Sequence, residues 1–299
     1  MNAGKAVLVG MILSAVVTVP LAAQSGHTVW GAWTFDWEVV GGNGLALRNV
    51  SFNNKYMIYK ANLPVIRVRY DHSCGPYADR IDWSNLVPIS NCGDQKLCQK
   101  SYSSGGRNWL EVAVYARIGA YHLYQAWYLS HDGWIRAQLW SKGLQCDVDH
   151  DHHPYWRIDF DVAGAPSDQI FVYDNNRPDE GWGPGWHKHT NELNETKNPA
   201  TNRRWVVRDH PGGQLAWVIP DAADGVADWF STKDAASRRY QGAEDQPWPF
   251  GGGGHLGYDN GEDIQEKDVV YWYVCHLHHH AAEGGDQWHT CGPWLYLGG

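Results

Sequence analysis

Charge is scarce in this chain. Asp, Glu, Lys and Arg make up 19% of its 299 residues, and the balance is mildly acidic at −9. Without a basic excess, no nucleic-acid footprint is expected. There is no C-x-x-C pair and no H-E-x-x-H, so the familiar signatures of thiolate zinc sites and helical zinc proteases are missing. Beyond residue 23 no segment is apolar enough to cross a bilayer. No internal repeat and no interdomain linker is visible, so residues 24–299 read as a single domain, long enough for an extensive core. What the chain does have is 18 Trp and 33 Gly, a bias that favours strands and turns over helices.

Residues 1–23 read as a secretory signal: Lys5, an apolar run from Ala6 to Val19, and the small-residue exit Pro20-Leu-Ala-Ala23. A secreted or periplasmic location follows, with no stable membrane association once the signal is removed. Export permits disulfides. The six cysteines are Cys74, Cys92, Cys98, Cys146, Cys275 and Cys291. Cys92/Cys98 and Cys275/Cys291 are close enough in sequence to staple loops, although six cysteines allow fifteen pairings.

Strand-like alternation recurs along the chain. It covers Trp33 to Val40, Leu45 to Phe52, Tyr56 to Tyr59, Pro64 to Tyr70, Leu110 to Ile118, Tyr121 to Ser130, Trp134 to Trp140, Tyr155 to Val162, parts of Trp205 to Val218, and Asp268 to Leu277. Residues 71–108 look like a stapled loop region and 175–202 like irregular chain, with 221–240 as the one plausible helix. Short strands with long returns predict an all-β fold, a large β-sandwich.

The most informative stretch is His150-Asp-His152-His-Pro-Tyr-Trp-Arg-Ile-Asp159-Phe-Asp161. Residues i and i+2 share a face of an extended strand, so His150 and His152 can chelate one metal. Asp159 and Asp161 can grip a second, harder cation at the strand's far end. Imidazole suits copper, zinc, iron or nickel, and carboxylate suits calcium, magnesium or manganese.

Three segments together carry a resemblance. "FDWEVVGGNGLALRNVSFNNKYMIYKANLPVIRVRY" is similar to the opening strands of the catalytic domain of copper amine oxidases. "HDHHPYWRIDFDV" resembles that family's copper strand, and "DVVYWYVCHLHHH" resembles the strand that brings a third copper histidine. The resemblance implies copper on His150, His152 and His279, with His278 as the fallback ligand. It implies a second, calcium-like cation on Asp159, Asp161 and Asp268, with Phe160 and Val269 offering carbonyls. It also implies that Tyr121 is the precursor of topaquinone, the family's tyrosine-derived quinone. Ala120 and His122 stand where the family has Asn and an acid. The catalytic base falls on Asp79, or on Asp82, and Tyr70 resembles a tyrosine that hydrogen-bonds the quinone.

The activity so implied is oxidation of a primary amine by oxygen to aldehyde, ammonia and hydrogen peroxide, in a protein that is usually a homodimer. The departures around Tyr121 and near Asp79 motivate an alternative, a non-catalytic secreted copper-binding or interaction domain on the same scaffold. A hydrolase-like zinc or copper site using activated water, or a lysyl-oxidase-like copper site, would be further uses of the histidines.

Overall fold

The computed structural model describes residues 24–70, 74–164, 167–179, 181–242 and 260–298. The presumed signal lies outside them. Twenty strands follow in chain order: β1 (Gln24–Trp30), β2 (Trp33–Val39), β3 (Leu45–Phe52), β4 (Lys55–Tyr70), β5 (Tyr77–Asp79), β6 (Leu97–Ser104), β7 (Arg107–Ile118), β8 (Tyr121–Ser130), β9 (Trp134–Lys142) and β10 (His150–Phe160). The second half holds β11 (Asp168–Tyr173), β12 (Trp186–Lys188), β13 (Leu193–Glu195), β14 (Arg204–Asp209), β15 (Leu215–Ile219), β16 (Ala235–Arg239), β17 (Val269–Val274), β18 (Leu277–His279), β19 (His289–Cys291) and β20 (Trp294–Tyr296).

They form two antiparallel sheets of ten strands. The first runs β1-β2-β3-β4-β10-β17-β16-β13, with β5 on β4 and β18 on β10; the second runs β12-β11-β14-β15-β20-β9-β8-β7-β6, with β19 on β9. The expected all-β sandwich is what forms. Alternation explains it locally. In β10, Trp156, Ile158 and Phe160 enter the core between the sheets, where Trp33, Trp127 and Trp205 also lie. Tyr155 joins a smaller cluster on the outer face with Val65, Val270 and Trp272. A central strand covered on both sides needs no polar face.

Several expectations are corrected. A strand, β1, precedes Trp33 and pairs with β2 along its whole length. The two pieces expected at 56–59 and 64–70 are one strand, because an irregularity near Asn62 to Val65 absorbs Pro64 without ending the pairing. The stapled region at 71–108 contains β5 and the eight-residue β6. The stretch 175–202 contains β12 and β13. Residues 221–240 form no helix. Asp221 Oδ1 accepts from the Ala223 N–H, and Asp228 Oδ1 accepts from those of Phe230 and Ser231, so side chains capture the donors a helix would use. Gly225 instead donates to the His276 carbonyl, and 235–239 joins β17 edge to edge.

Cysteines 92 and 98 pair, as do 275 and 291, and the third bond joins Cys74 to Cys146. The Cys74–Cys146 bond ties the chain leaving β4 to the chain entering β10. No described helix is long and apolar enough to cross a membrane.

Candidate active site at the seam of the two sheets

The inner-face parity of β10 that buries Trp156 also turns His150 and His152 inward, at the opposite end of the strand. Antiparallel pairing sets His279 of β18 opposite His150, and Tyr70 of β4 opposite His150 on the other side. The other sheet contributes Tyr121, the first residue of β8. The three imidazoles stand 4.6 to 5.2 Å apart, centroid to centroid, and the Tyr121 ring lies 4.5 Å from that of His152. All four side chains, and Tyr70, are buried.

A directed chain of hydrogen bonds runs through the cluster. His150 Nδ1 lies 2.8 Å from the Val148 carbonyl, which can only accept, so Nδ1 carries the proton and Nε2 is a bare lone pair. That lone pair accepts the Tyr121 O–H at 2.8 Å. The Tyr121 oxygen then accepts from Tyr70 O–H at 2.7 Å and from the Gln145 backbone N–H at 3.2 Å. Burial raises the pKa of Tyr121, and that of Tyr70 as well, so both stay phenols near neutrality.

The remaining nitrogens are unsatisfied. Neither ring nitrogen of His152, nor Nε2 of His279, has a partner, although all are buried. Burial pushes the pKa of His152 well down and that of His279 down to about 3, and lowers that of His150. Neutral imidazoles with orphaned nitrogens are the donor state a soft or borderline metal takes. The donors stand wider than in the Asp159–Asp161–Asp268 group, whose ligand atoms all lie within 4.8 Å of one another, and Tyr121 occupies the lone pair that a metal would use on His150. His278, the fallback ligand, is exposed and turned outward to Asp151 at 3.0 Å and His280 at 3.1 Å.

Beside Tyr121 lies a cavity of about 230 Å³, lined by Val68, Tyr70, Tyr77, Asp79, Ile118, Gly119, Tyr121 and Gln145. Asp79, at the end of the edge strand β5, is held there by pairing with Ile66. Burial raises its pKa from 3.8 to about 6. Asp82 is not among the lining residues. It precedes a 3₁₀ turn, Trp83–Asn85, and its backbone N–H donates to Asn85 Oδ1. His122, the residue after Tyr121, points to the other face of β8, where it stacks on Tyr115 and lies 3.3 Å from Arg117. Ala120 lies in the exposed turn before the strand. Neither touches the Tyr121 ring from where an Asn or an acid would restrain it.

Three features escaped the sequence. Gln145 donates to Tyr121 through its backbone, which no side-chain motif can signal. His289, from β19, packs at 4.6 Å on the His279 ring; its neighbour Cys291, bonded to Cys275, was the only hint that the chain returns there. Gly143 (φ +133°) lies against the start of β8. A Cβ there would meet the Ala120 carbonyl at 2.5 Å and Tyr121 Cα at 2.8 Å, so glycine is required for the strand to seat Tyr121.

At the far end of β10, Asp159, Asp161 and Asp268 converge. Burial, with like charge nearby, raises Asp159 to about 7 and Asp161 to about 6, and Asp268 is raised too. Phe160 and Val269 face each other across the same pair of strands. Arg157 already provides Asp159 with a countercharge at 3.1 Å.

No family model matches the chain, and no curated protein resembles it by sequence. Solved structures do resemble it in fold. A lysyl oxidase of Pichia pastoris superposes with a TM-score of 0.68 at 13% identity, over 90% of this chain and 51% of that one. A copper-containing benzylamine oxidase of Hansenula polymorpha gives 0.66 at 14%, over 90% and 59%. An amine oxidase of Aspergillus nidulans gives 0.67 at 14%, over 90% and 51%. The chain thus has the fold of a copper amine oxidase domain and spans between half and three fifths of the length of these proteins.

Proposed function

We propose that this protein oxidises primary amines, with copper held by His150, His152 and His279 and with Tyr121 as the precursor of a quinone. One observation carries the reading. Tyr121, from one sheet, meets three neutral, buried imidazoles from the other, and two of the three have orphaned nitrogens. A structural tyrosine needs one hydrogen-bond partner, not a metal-ready pocket. The fold likeness to amine oxidases agrees with it.

When bound, copper and oxygen would convert Tyr121, and the quinone would then supply the electron sink for amine oxidation. The chain's own residues do the rest. Tyr70 and the Gln145 N–H donate to the Tyr121 oxygen and fix the ring's orientation. In the metal-free chain His150 Nε2 accepts the Tyr121 O–H; giving that lone pair to copper would free the phenol. Asp79 faces the cavity with a pKa near 6, so it is mostly ionised at neutral pH yet basic enough to take a proton from the carbon beside the amine nitrogen. Val68, Ile118 and Tyr77 keep that cavity apolar, and its small volume suits an unbranched or small aromatic amine. Overall, amine, oxygen and water become aldehyde, ammonia and hydrogen peroxide. Asp159, Asp161 and Asp268 would hold a calcium-like ion that steadies the other end of the copper strand. Export by way of residues 1–23 and assembly as a homodimer belong to the same reading.

The test is amine-dependent peroxide release by copper-loaded protein, with His152→Ala as the control. Release by the wild type alone supports the reading, and release by both discards the copper site. The second reading, a copper-binding scaffold without catalysis, is favoured by Ala120 and His122, which leave the Tyr121 ring without its flanking restraints. Tight copper with no peroxide from any amine would select it.

A further inference from the structure

His153 follows His152, but strand alternation turns it to the outer face of β10. Its Nδ1 lies 3.1 Å from the Arg67 carbonyl, an acceptor only, so Nδ1 bears the hydrogen and the Nε2 lone pair points away. It points at Asp228 Oδ2, 2.7 Å distant. The other oxygen of Asp228 is engaged by the N–H groups of Phe230 and Ser231 at 2.8 and 2.6 Å, so Oδ2 is aimed at His153 by its own turn. Two lone pairs facing each other at that distance repel unless something positive lies between them.

A second imidazole converges on the same oxygen. His276 Nδ1 stands 4.0 Å from Asp228 Oδ2, and the two histidine rings lie edge to face at 5.0 Å. Both His276 nitrogens are buried and make no aligned hydrogen bond. Its Nε2 sits 2.9 Å from Asp234 Oδ1, and Asp234 is itself fixed by the Lys197 N–H at 2.6 Å. A proton would satisfy one pair of these donors, whereas a metal ion satisfies all three.

We propose that His153, Asp228 and His276 form a binding site for a zinc-class divalent cation, distinct from the His150–His152–His279 cluster and independent of any amine oxidation. The three ligand atoms all lie within 4.8 Å of one another. Bonds of about 2.0–2.1 Å in a tetrahedral arrangement set donors about 3.3 Å apart, between the 2.7 and 4.0 Å seen here. Two imidazoles and one carboxylate suit zinc and disfavour calcium, which needs six or more oxygens. Asp234 orients His276 from behind, as carboxylates do for metal-bound imidazoles. His153 and His276 are almost fully buried, while the Asp228 side chain is 22% exposed and leaves a path for the ion and for water as a fourth ligand. The ion would fasten the non-helical segment 221–234 to β10 and to the β17–β18 connection.

The test uses the full chain carrying His150→Ala and His152→Ala, to silence the inner cluster. Metal-free protein is exposed to excess Zn²⁺ alone, desalted, and assayed for zinc content and melting temperature. One retained equivalent and a zinc-dependent rise in Tm are expected. Both should disappear when Asp228→Asn or His276→Gln is added, read on whichever variant still melts cooperatively. Absence of zinc in the parent overturns the proposal, as does zinc that persists in the added variants, which would place the ion elsewhere, for example on the exposed Asp149, His278 and His280.

Discussion

Replacing Asp79 with Asn should make the protein more stable and less active at once. The carboxyl is largely buried, and burial alone raises its pKa from 3.8 to about 6. Well below pH 4 both folded and unfolded chains carry it protonated, and no penalty arises. As pH rises through 4 to 6 the unfolded chain releases the proton first, so folding stability falls. Above pH 6 the penalty is complete. A tenfold ratio is worth about 1.4 kcal/mol, so the shift corresponds to about 3 kcal/mol, reduced toward about 2 kcal/mol by water in the cavity. Asn is isosteric and uncharged, so Asp79→Asn should be more stable than wild type by about 2–3 kcal/mol at pH 7.5 and equal to it near pH 3.5. Urea unfolding at the two pH values measures this. If Asp79 is the base, amine-dependent peroxide should fall by orders of magnitude in the same variant. A variant that is destabilised at pH 7.5 would refute the argument, since it would mean that the charged carboxylate is favourably held.

Other perturbations have equally definite outcomes. Gly143→Ala places a methyl against backbone at 2.5–2.8 Å with φ at +133°, so it should cost about 3 kcal/mol or more in urea unfolding, whereas Gly105→Ala, with nothing near it and a φ of +59°, should cost about 1 kcal/mol. Asp159 and Asp161, raised to about 7 and 6, destabilise the metal-free fold once ionised. Calcium at 100 times its Kd should therefore raise stability by about 2.7 kcal/mol at pH 8 and little at pH 5, read as Tm, and Asp161→Asn should abolish most of that gain. Tyr70→Phe removes the donor to Tyr121 and should cost about 1 kcal/mol while slowing any oxidation of Tyr121.

The sandwich was legible because its signal is local. Alternation over β2, β3, β7, β8 and β9 is enough to mark strands and to fix which residues face inward. The helix expected at 221–240 was not legible as a turn-rich loop, because what unmakes it is Asp228 gripping two N–H groups ahead of it and Gly225 docking on His276, a residue 51 positions away. The shared face of His150 and His152 was readable from H-x-H on an extended strand, whereas copper as their ligand, and the choice between His278 and His279, rested on resemblance. In the fold, parity across β18 buries His279 and exposes His278. Asp79 and Asp82 could not be separated by sequence, since only the pairing of β5 with β4 brings Asp79 to the cavity. The His153–Asp228–His276 cluster was unreadable, because it joins the odd face of one strand to a loop that looked helical.

The central claim is that Tyr121 and three imidazoles make a copper-dependent oxidation site. The most direct measurement is mass spectrometry of the Tyr121 peptide after metal-free protein is given copper in air. The account predicts a quinone-modified Tyr121 in the wild type and an unmodified residue in His152→Ala. An unmodified Tyr121 in wild-type protein that has taken up copper would contradict it and leave a metal-binding scaffold in its place.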